Sequence, residues 1–153
     1  MNLSAQNLLN NPESVVFDAQ NNRYLVSNWT SGDIVQIDST GEQSYFSQEL
    51  MSTAGIHIVG NTVYVSSNEG PYTGVIGFDL TSAEMVFDVE IPGCALLNDL
   101  TSDNSGNLYI SDCDANKIYR VMIATANHTT FVDSDLFYPM ASPSMKQITG
   151  CWH

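Results

Sequence analysis

Glu13 opens the run Glu13-Ser-Val-Val-Phe-Asp18, and Tyr24 follows six residues after the end of that run. Asn98 opens Asn98-Asp99-Leu100-Thr101-Ser102-Asp103, and Tyr109 follows at the same interval. Glu13 and Asn98 therefore hold equivalent places in a repeat. Each brings a side-chain oxygen to the start of a strand. Repetition sets such residues around one axis, where they can meet at a single ion. Carboxylate and amide oxygens suit hard cations, and no Cys/His cluster argues for a thiolate or imidazole site. The alternatives are a solvated residue before a strand for Glu13 and a turn-forming side chain for Asn98.

Other polar residues are weaker candidates. Asp99 could orient Asn98, coordinate beside it, or cap a turn. Asp18 and Asp103 recur at the far ends of their strands, which marks them as turn formers. Asp112, Asp114 and Asn116 form an acidic loop that reads as solvated, with a second ion as the alternative. His57, in Gly55-Ile56-His57-Ile58, is a candidate general base, against the simpler reading of a packed, hydrogen-bonded strand histidine. Thr53-Ala54-Gly55 stands where the other units have Glu13 or Asn98, so it offers no ligand. Trp29 and Tyr72 sit in loops, to line a pocket or pack between units. A Gly-Xaa-Ser-Xaa-Gly nucleophile motif, a phosphate-binding glycine loop and a nucleotide fingerprint are all missing.

The elements that must position these residues are strands. Short β-branched and aromatic runs alternate with Asn, Asp, Gly and Ser clusters, and no segment keeps a helical apolar period. Tyr24, Tyr64 and Tyr109 lie 40 and 45 residues apart in similar strands. Each strand follows a tight-turn cluster and precedes a further strand: Asp33 to Asp38, Gly74 to Asp79, and Lys117 to Val121. Fourth strands are expected near Glu42 to Ser47, Ala83 to Val89 and Thr129 to Asp133. A period in the forties with about four strands per unit predicts β-propeller blades. The fold class is all-β, about three four-stranded blades near 12–51, 52–94 and 95–135, followed by a non-propeller tail at 136–153. A three-layer sandwich and a β-helix are the alternatives. An immunoglobulin-like sandwich would not repeat this way.

Propellers close with about four to eight blades. Three blades thus predict either two chains pairing through open blade faces or a piece of something longer.

The chain has 153 residues, 17 acidic and 4 basic side chains, and a formal net charge of −13. That charge repels a phosphate backbone and an anionic membrane surface, so neither nucleic acid nor membrane is an expected partner. No apolar run approaches membrane-spanning length, and the first residues lack a signal-peptide pattern. The compartment stays open. Cys94, Cys113 and Cys151 have no metal-type spacing. Small buried thiols are the first reading and a Cys94–Cys113 disulfide the second. Asn28-Trp29-Thr30 and Asn127-His128-Thr129 are glycosylation sequons if the chain meets that machinery.

Leu97-Asn98-Asp99-Leu100-Thr101-Ser102-Asp103-Asn104-Ser105-Gly106-Asn107-Leu108-Tyr109-Ile110-Ser111-Asp112 resembles the SMP-30/gluconolactonase/LRE-like family. So does Pro12-Glu13-Ser14-Val15-Val16-Phe17-Asp18 with Asn22-Arg23-Tyr24-Leu25-Val26-Ser27. The resemblance runs from about Pro12 to Asp135. It implies a six-bladed propeller, of which this chain is the first half, and a divalent-metal-dependent lactone or ester hydrolase. Glu13 matches the first-blade metal carboxylate. Asn98 matches the Asn of the Asn-Asp motif, at the metal or against the substrate. The implied cofactor is calcium, with magnesium, manganese or zinc as alternatives. Gluconolactonase-type members carry an Arg two residues before that Asn. Here the position is Leu96, which argues against a polar sugar lactone. The family's Asn-Gly ligand and its later Asp are not in frame.

The tail Phe137 to His153 drops the blade pattern. Back-translated and read two bases later, it allows LSNGITIDEANNRLLA, which restores an Asn-Gly pair in the same frame as Glu13 and Asn98. The tail then reads as a frameshifted start of blade four, with a natural tail as the alternative. The expected chain is a fragment of a metal-dependent lactonase or esterase, inactive alone. The competing readings are a non-catalytic NHL-like binding module and a half-propeller active as a homodimer.

Overall fold

The computed structural model describes residues 6–70 and 73–133. Tyr72, Cys151 and the tail at 136–153, with its frameshift reading, lie outside the described residues, as does the end of the third predicted blade at 134–135. Among the described residues, twelve strands run in chain order and form three separate four-stranded antiparallel sheets. Blade one is β1 (Pro12–Asp18), β2 (Arg23–Asn28), β3 (Ile34–Asp38) and β4 (Gln43–Ser47). Blade two is β5 (Thr53–Val59), β6 (Thr62–Ser67), β7 (Gly74–Asp79) and β8 (Met85–Glu90). Blade three is β9 (Leu97–Ser102), β10 (Asn107–Asp112), β11 (Lys117–Met122) and β12 (Asn127–Val132). Within each sheet the strands lie in sequence order, so every connection is a hairpin. This is a partial propeller of three blades.

Aspartates at the strand ends make the hairpins. Asp18 Oδ1 accepts the Gln20 and Asn21 N–H groups at 3.2 Å, and Asp103 Oδ1 accepts Ser105 N–H at 2.8 Å and Asn107 N–H at 2.9 Å. Hydrogen bonds led by the Asn107 side chain hold the Asp103 carboxyl down at about 2. Burial opposes ionisation of Asp18, yet bonds from Asn21 and Arg23 keep its carboxyl below the usual range. Both aspartates are turn formers, and the side-chain geometry is that of an Asx turn.

The apolar core lies between blades. Leu25, Ile34, Phe46 and Leu50 of blade one meet Ile56, Val63, Val65, Ile76 and Phe78 of blade two. Tyr64, Val75, Val89 and Ile91 of blade two meet Leu97, Leu100, Leu108, Ile110 and Val121 of blade three. Each sheet thus has a leading face, toward the blade before it, and a trailing face, toward the blade after it. The first strands β1, β5 and β9 pack side by side as the inner strands.

The pairing corrects one feature of the repeat. Asp18 pairs with Arg23 across a four-residue turn, whereas Asp103 N–H bonds Asn107 C=O across three residues. Asn22 (φ 50°) and Gly106 (φ 82°) turn the two corners. The longer turn shifts β2 by one residue relative to β10. Tyr24 therefore corresponds to Leu108, and Leu25 corresponds to Tyr109. A one-residue slip reverses the face a side chain occupies. Accordingly Tyr24 is exposed on the leading face, while Tyr109 is buried.

Candidate site at the start of the inner strands

Every inner strand opens with a β-bulge. The register steps from Pro12↔Asn28 to Ser14↔Ser27, from Thr53↔Ser67 to Ile56↔Val65, and from Leu97↔Asp112 to Leu100↔Ile110. In each case two residues oppose one serine: Glu13 and Ser14 against Ser27, Ala54 and Gly55 against Ser66, and Asn98 and Asp99 against Ser111. A bulge re-aims side chains at the rim of a sheet. The equivalence of Glu13 and Asn98 expected from the spacing thus has a structural basis, and Ala54 is the blade-two counterpart.

The serines tie this region together. Ser27 Oγ accepts Ser14 N–H at 3.1 Å, Ser66 Oγ accepts Gly55 N–H at 2.8 Å, and Ser111 Oγ accepts Asp99 N–H at 3.2 Å. Two of the hydroxyls also reach across to the next blade. Ser27 donates to Ala54 C=O, and Ser66 donates to Asn98 C=O at 2.6 Å. Asn68 grips the same seam, its amide accepting Leu97 N–H at 2.8 Å and donating to Leu97 C=O at 2.7 Å.

The small residues of blade two let the other blades approach. A Cβ on Gly55 would lie 2.6 Å from Asp99 Cα and 2.7 Å from Asn98 C=O. Across this gap Glu13, exposed, acts on groups of blade three. Burial pushes the Asp99 carboxyl above its usual range, and the negative charge of Glu13 raises it further. Burial likewise raises the Cys113 thiol, with Glu13 again contributing. Asn98 Nδ2 donates to Cys113 Sγ at 3.1 Å. Glu13, Asn98, Asp99 and Cys113 are thus brought into one region. A carboxyl raised in this way can carry a proton closer to neutrality, or accept a cation that relieves the repulsion. The donors are hard oxygens, as calcium or magnesium requires. Among the described residues, however, no three His, Cys, Asp or Glu side chains converge well enough to hold an ion by themselves.

His57 stands apart from this cluster. It lies three residues beyond Ala54 on β5, about 10 Å along the strand. Its Nε2 is 2.9 Å from Ser102 Oγ, and burial lowers its pKa. It is a packed, hydrogen-bonded strand histidine. Trp29 is half-buried, and its backbone N–H donates to Asn11 C=O at 3.0 Å.

No disulfide joins Cys94 to Cys113; Cys113 is buried, as the first reading expected, and Cys94 is half-buried. Cys113 turns toward Asn98, whereas Cys94 packs on the core between blades two and three. Asp112 is buried rather than solvated, and its carboxylate accepts Ala95 N–H at 2.8 Å and Leu96 N–H at 2.9 Å. Asn28 is buried, with its amide bonded to Asn10 N–H and Leu8 C=O at 3.0 Å, so its sequon is not presented to solvent. Ser27, Ser66, Ser111, Gly55 and Cys113 were not anticipated as parts of the site. A serine near the end of each second strand was the signal available.

No protein-family model matches this chain, and no curated protein matches it. Solved structures do. The chain is similar to an auxiliary nutrient binding protein from Bacteroides thetaiotaomicron (TM-score 0.68, 14% identity, 85% of this chain and 32% of that one). It is similar to virginiamycin B lyase from Staphylococcus aureus (TM-score 0.66, 16% identity, 78% of this chain and 40% of that one). It is also similar to the β-propeller domain of Cps50 (Swd1) from Myceliophteria thermophila (TM-score 0.60, 14% identity, 79% of this chain and 38% of that one). These likenesses show the propeller fold. The chain spans less than half the length of each of these neighbours.

Proposed function

We propose that this chain is part of a divalent-metal-dependent lactone or ester hydrolase of the SMP-30/gluconolactonase/LRE-like kind, and that it supplies Glu13 and Asn98 to the metal site. The observation that carries this reading is the equivalent placing of Glu13 and of Asn98 with Asp99 at the bulged starts of inner strands, close enough across blade two for the charge of Glu13 to raise the Asp99 carboxyl. Two acidic groups held near one another, one of them half-buried, are costly without a cation between them. Glu13, the Asn98 amide oxygen and Asp99 would hold the ion, with calcium the first choice. A bound divalent ion would polarise the substrate carbonyl and lower the pKa of a water.

The residues of this chain have further tasks. Cys113 fixes the Asn98 amide by accepting its N–H, and Ser111 fixes the backbone of Asp99. Leu96, anchored through its backbone by Asp112 and Cys113, puts an aliphatic residue where a sugar-binding member has Arg. A less polar lactone or ester suits that change. Calcium takes about six to eight oxygens, so these residues form part of a site and the chain alone is inactive.

The test is isothermal titration of the chelator-treated chain with calcium chloride. Saturable binding is expected, weakened at least about tenfold in Glu13→Gln, as for loss of one charged ligand worth about 1.4 kcal/mol or more. A chain indifferent to calcium and magnesium, or a Glu13→Gln variant that binds like the parent, would overturn the assignment. Indifference to metal would favour a non-catalytic NHL-like binding module.

A further inference from the structure

We propose that His57 of β5 and Ser102 of β9 form a pH-sensitive latch between blades two and three, and that acid loosens this junction.

The register of the repeat points to it. Val16, His57 and Thr101 hold equivalent positions in the three blades, and so do Phe17, Ile58 and Ser102. The inner strands pack side by side, β1 on β5 and β5 on β9. At the junction of blades two and three, His57 Nε2 lies 2.9 Å from Ser102 Oγ. The corresponding residues at the junction of blades one and two are Val16 and Ile58, which pack on the apolar core there. The same place in the fold thus holds apolar side chains at one junction and a titratable, hydrogen-bonded pair at the other.

The surroundings favour a neutral ring. His57 is half-buried and pairs across the sheet with Tyr64, which is buried and packs edge-on against Phe87 at a ring separation of 5.3 Å. Burial lowers the imidazole pKa and raises that of the Tyr64 phenol. The other titratable groups on the elements packed against β5 are engaged elsewhere or placed elsewhere. On β1, Glu13 stands at the opposite, bulged end, and Asp18 is bound to Arg23 of β2 at 2.9 Å. Tyr24 of β2 is exposed on the leading face of blade one. On β9, Asp99 lies at the bulged end, and Asp103 just beyond the strand accepts the Asn107 amide at 2.8 Å and the Tyr109 hydroxyl at 3.2 Å. Protonating His57 therefore puts a charge into a half-buried site beside apolar groups, and desolvation opposes it.

Strand β9 is held to blade two at both ends, by Ser66 donating to Asn98 C=O and by the His57–Ser102 pair. Acid weakens the second hold and spares the first. The strand so affected carries Asn98 and Asp99, so the latch acts on the seating of residues assigned above to the ion, although the junction itself does not depend on that reading. The sign follows from the lowered pKa of the folded state. The latch contributes its full stability above the unfolded histidine pKa of about 6.5 and loses it as pH falls through the folded value.

Urea unfolding of the full chain in chelator, at about pH 7.5 and about pH 5, brackets that window. Two variants serve as references. His57→Val with Ser102→Ile copies Val16 and Ile58, and His57→Gln keeps an uncharged, hydrogen-bonding side chain. The midpoint of the parent chain should fall more between the two pH values than that of either variant. The comparison removes the contribution of Asp99, which runs in the opposite direction. In the folded parent, the His57 ring followed by proton NMR should titrate below about 6.5. Equal midpoint losses in the parent and His57→Gln, or a ring that titrates at or above about 6.5, would each overturn the proposal. If the double variant does not fold, His57→Gln alone carries the comparison.

Discussion

At the scale of the residue, Asp99 gives the sharpest handle on the site. Its carboxyl is raised by burial and by Glu13, so the folded chain prefers it protonated more than the unfolded chain does. The sign of the linkage follows. Its contribution to stability is fully present below the unfolded pKa and is lost as pH rises through the folded one. At neutral pH without metal, Asp99 is therefore destabilising. Asp99→Asn should raise the melting temperature in chelator at pH 7, with little effect near pH 4, and should weaken calcium binding. Melting curves at the two pH values with and without calcium would check this, and a neutral or lower melting temperature at pH 7 would count against it. Some of this was legible in the sequence. Glu13 and Asn98 are read correctly as equivalents because their offset from the first turn is the same. The serines were not legible, because their acceptors are backbone carbonyls of the neighbouring blade, which leave no mark on side-chain types. Nor was the tie between Asn98 and Cys113, which brings together residues that face each other only after β10 folds back on β9.

At the scale of the element, the bulge and the hairpin turn decide what each strand presents. Strand positions follow from alternation and turn clusters, and the twelve strands lie close to where those signals put them. Register is harder to read. One extra residue in the first hairpin moves Tyr24 to the opposite face from Tyr64 and Tyr109, and no local preference records that shift. Gly55 shows the same limit. Its backbone is unremarkable, yet the inner strands can approach only because it lacks a side chain. Gly55→Ala would set a methyl 2.6 Å from Asp99 Cα, against backbone rather than a yielding side chain. Such overpacking costs about 1–3 kcal/mol. Urea unfolding should show a lower midpoint with an unchanged slope. An unaltered midpoint would mean that the junction between β5 and β9 can widen to take a methyl group.

At the scale of the whole molecule, the repeat period was enough to identify a partial propeller, because blades recur at a spacing that few other folds use. The charge was equally plain, and it has a thermodynamic effect. A net charge of −13 makes the folded chain repel itself. Raising ionic strength from about 0.01 M to about 0.15 M shortens the screening length from about 30 Å to about 8 Å. The melting temperature should rise by a few degrees over that range, measured in sodium chloride without divalent ions. A fall would point to favourable ion pairs outweighing the repulsion. Arg23 is the place to look for one. It bonds Asp18 at 2.9 Å and Gln36, crosses to Leu80 C=O of blade two, and lies over the Phe46 ring.

The repeated serine seam also sets the order in which the molecule can come apart. Where one kind of junction recurs between like units, stability is close to a sum of unit terms and nearest-neighbour couplings. Among the described blades, blade two has a coupling on each side, through Ser27 and Ser66, while blades one and three have one each. The outer blades can therefore open by breaking a single junction, whereas the middle blade must break two.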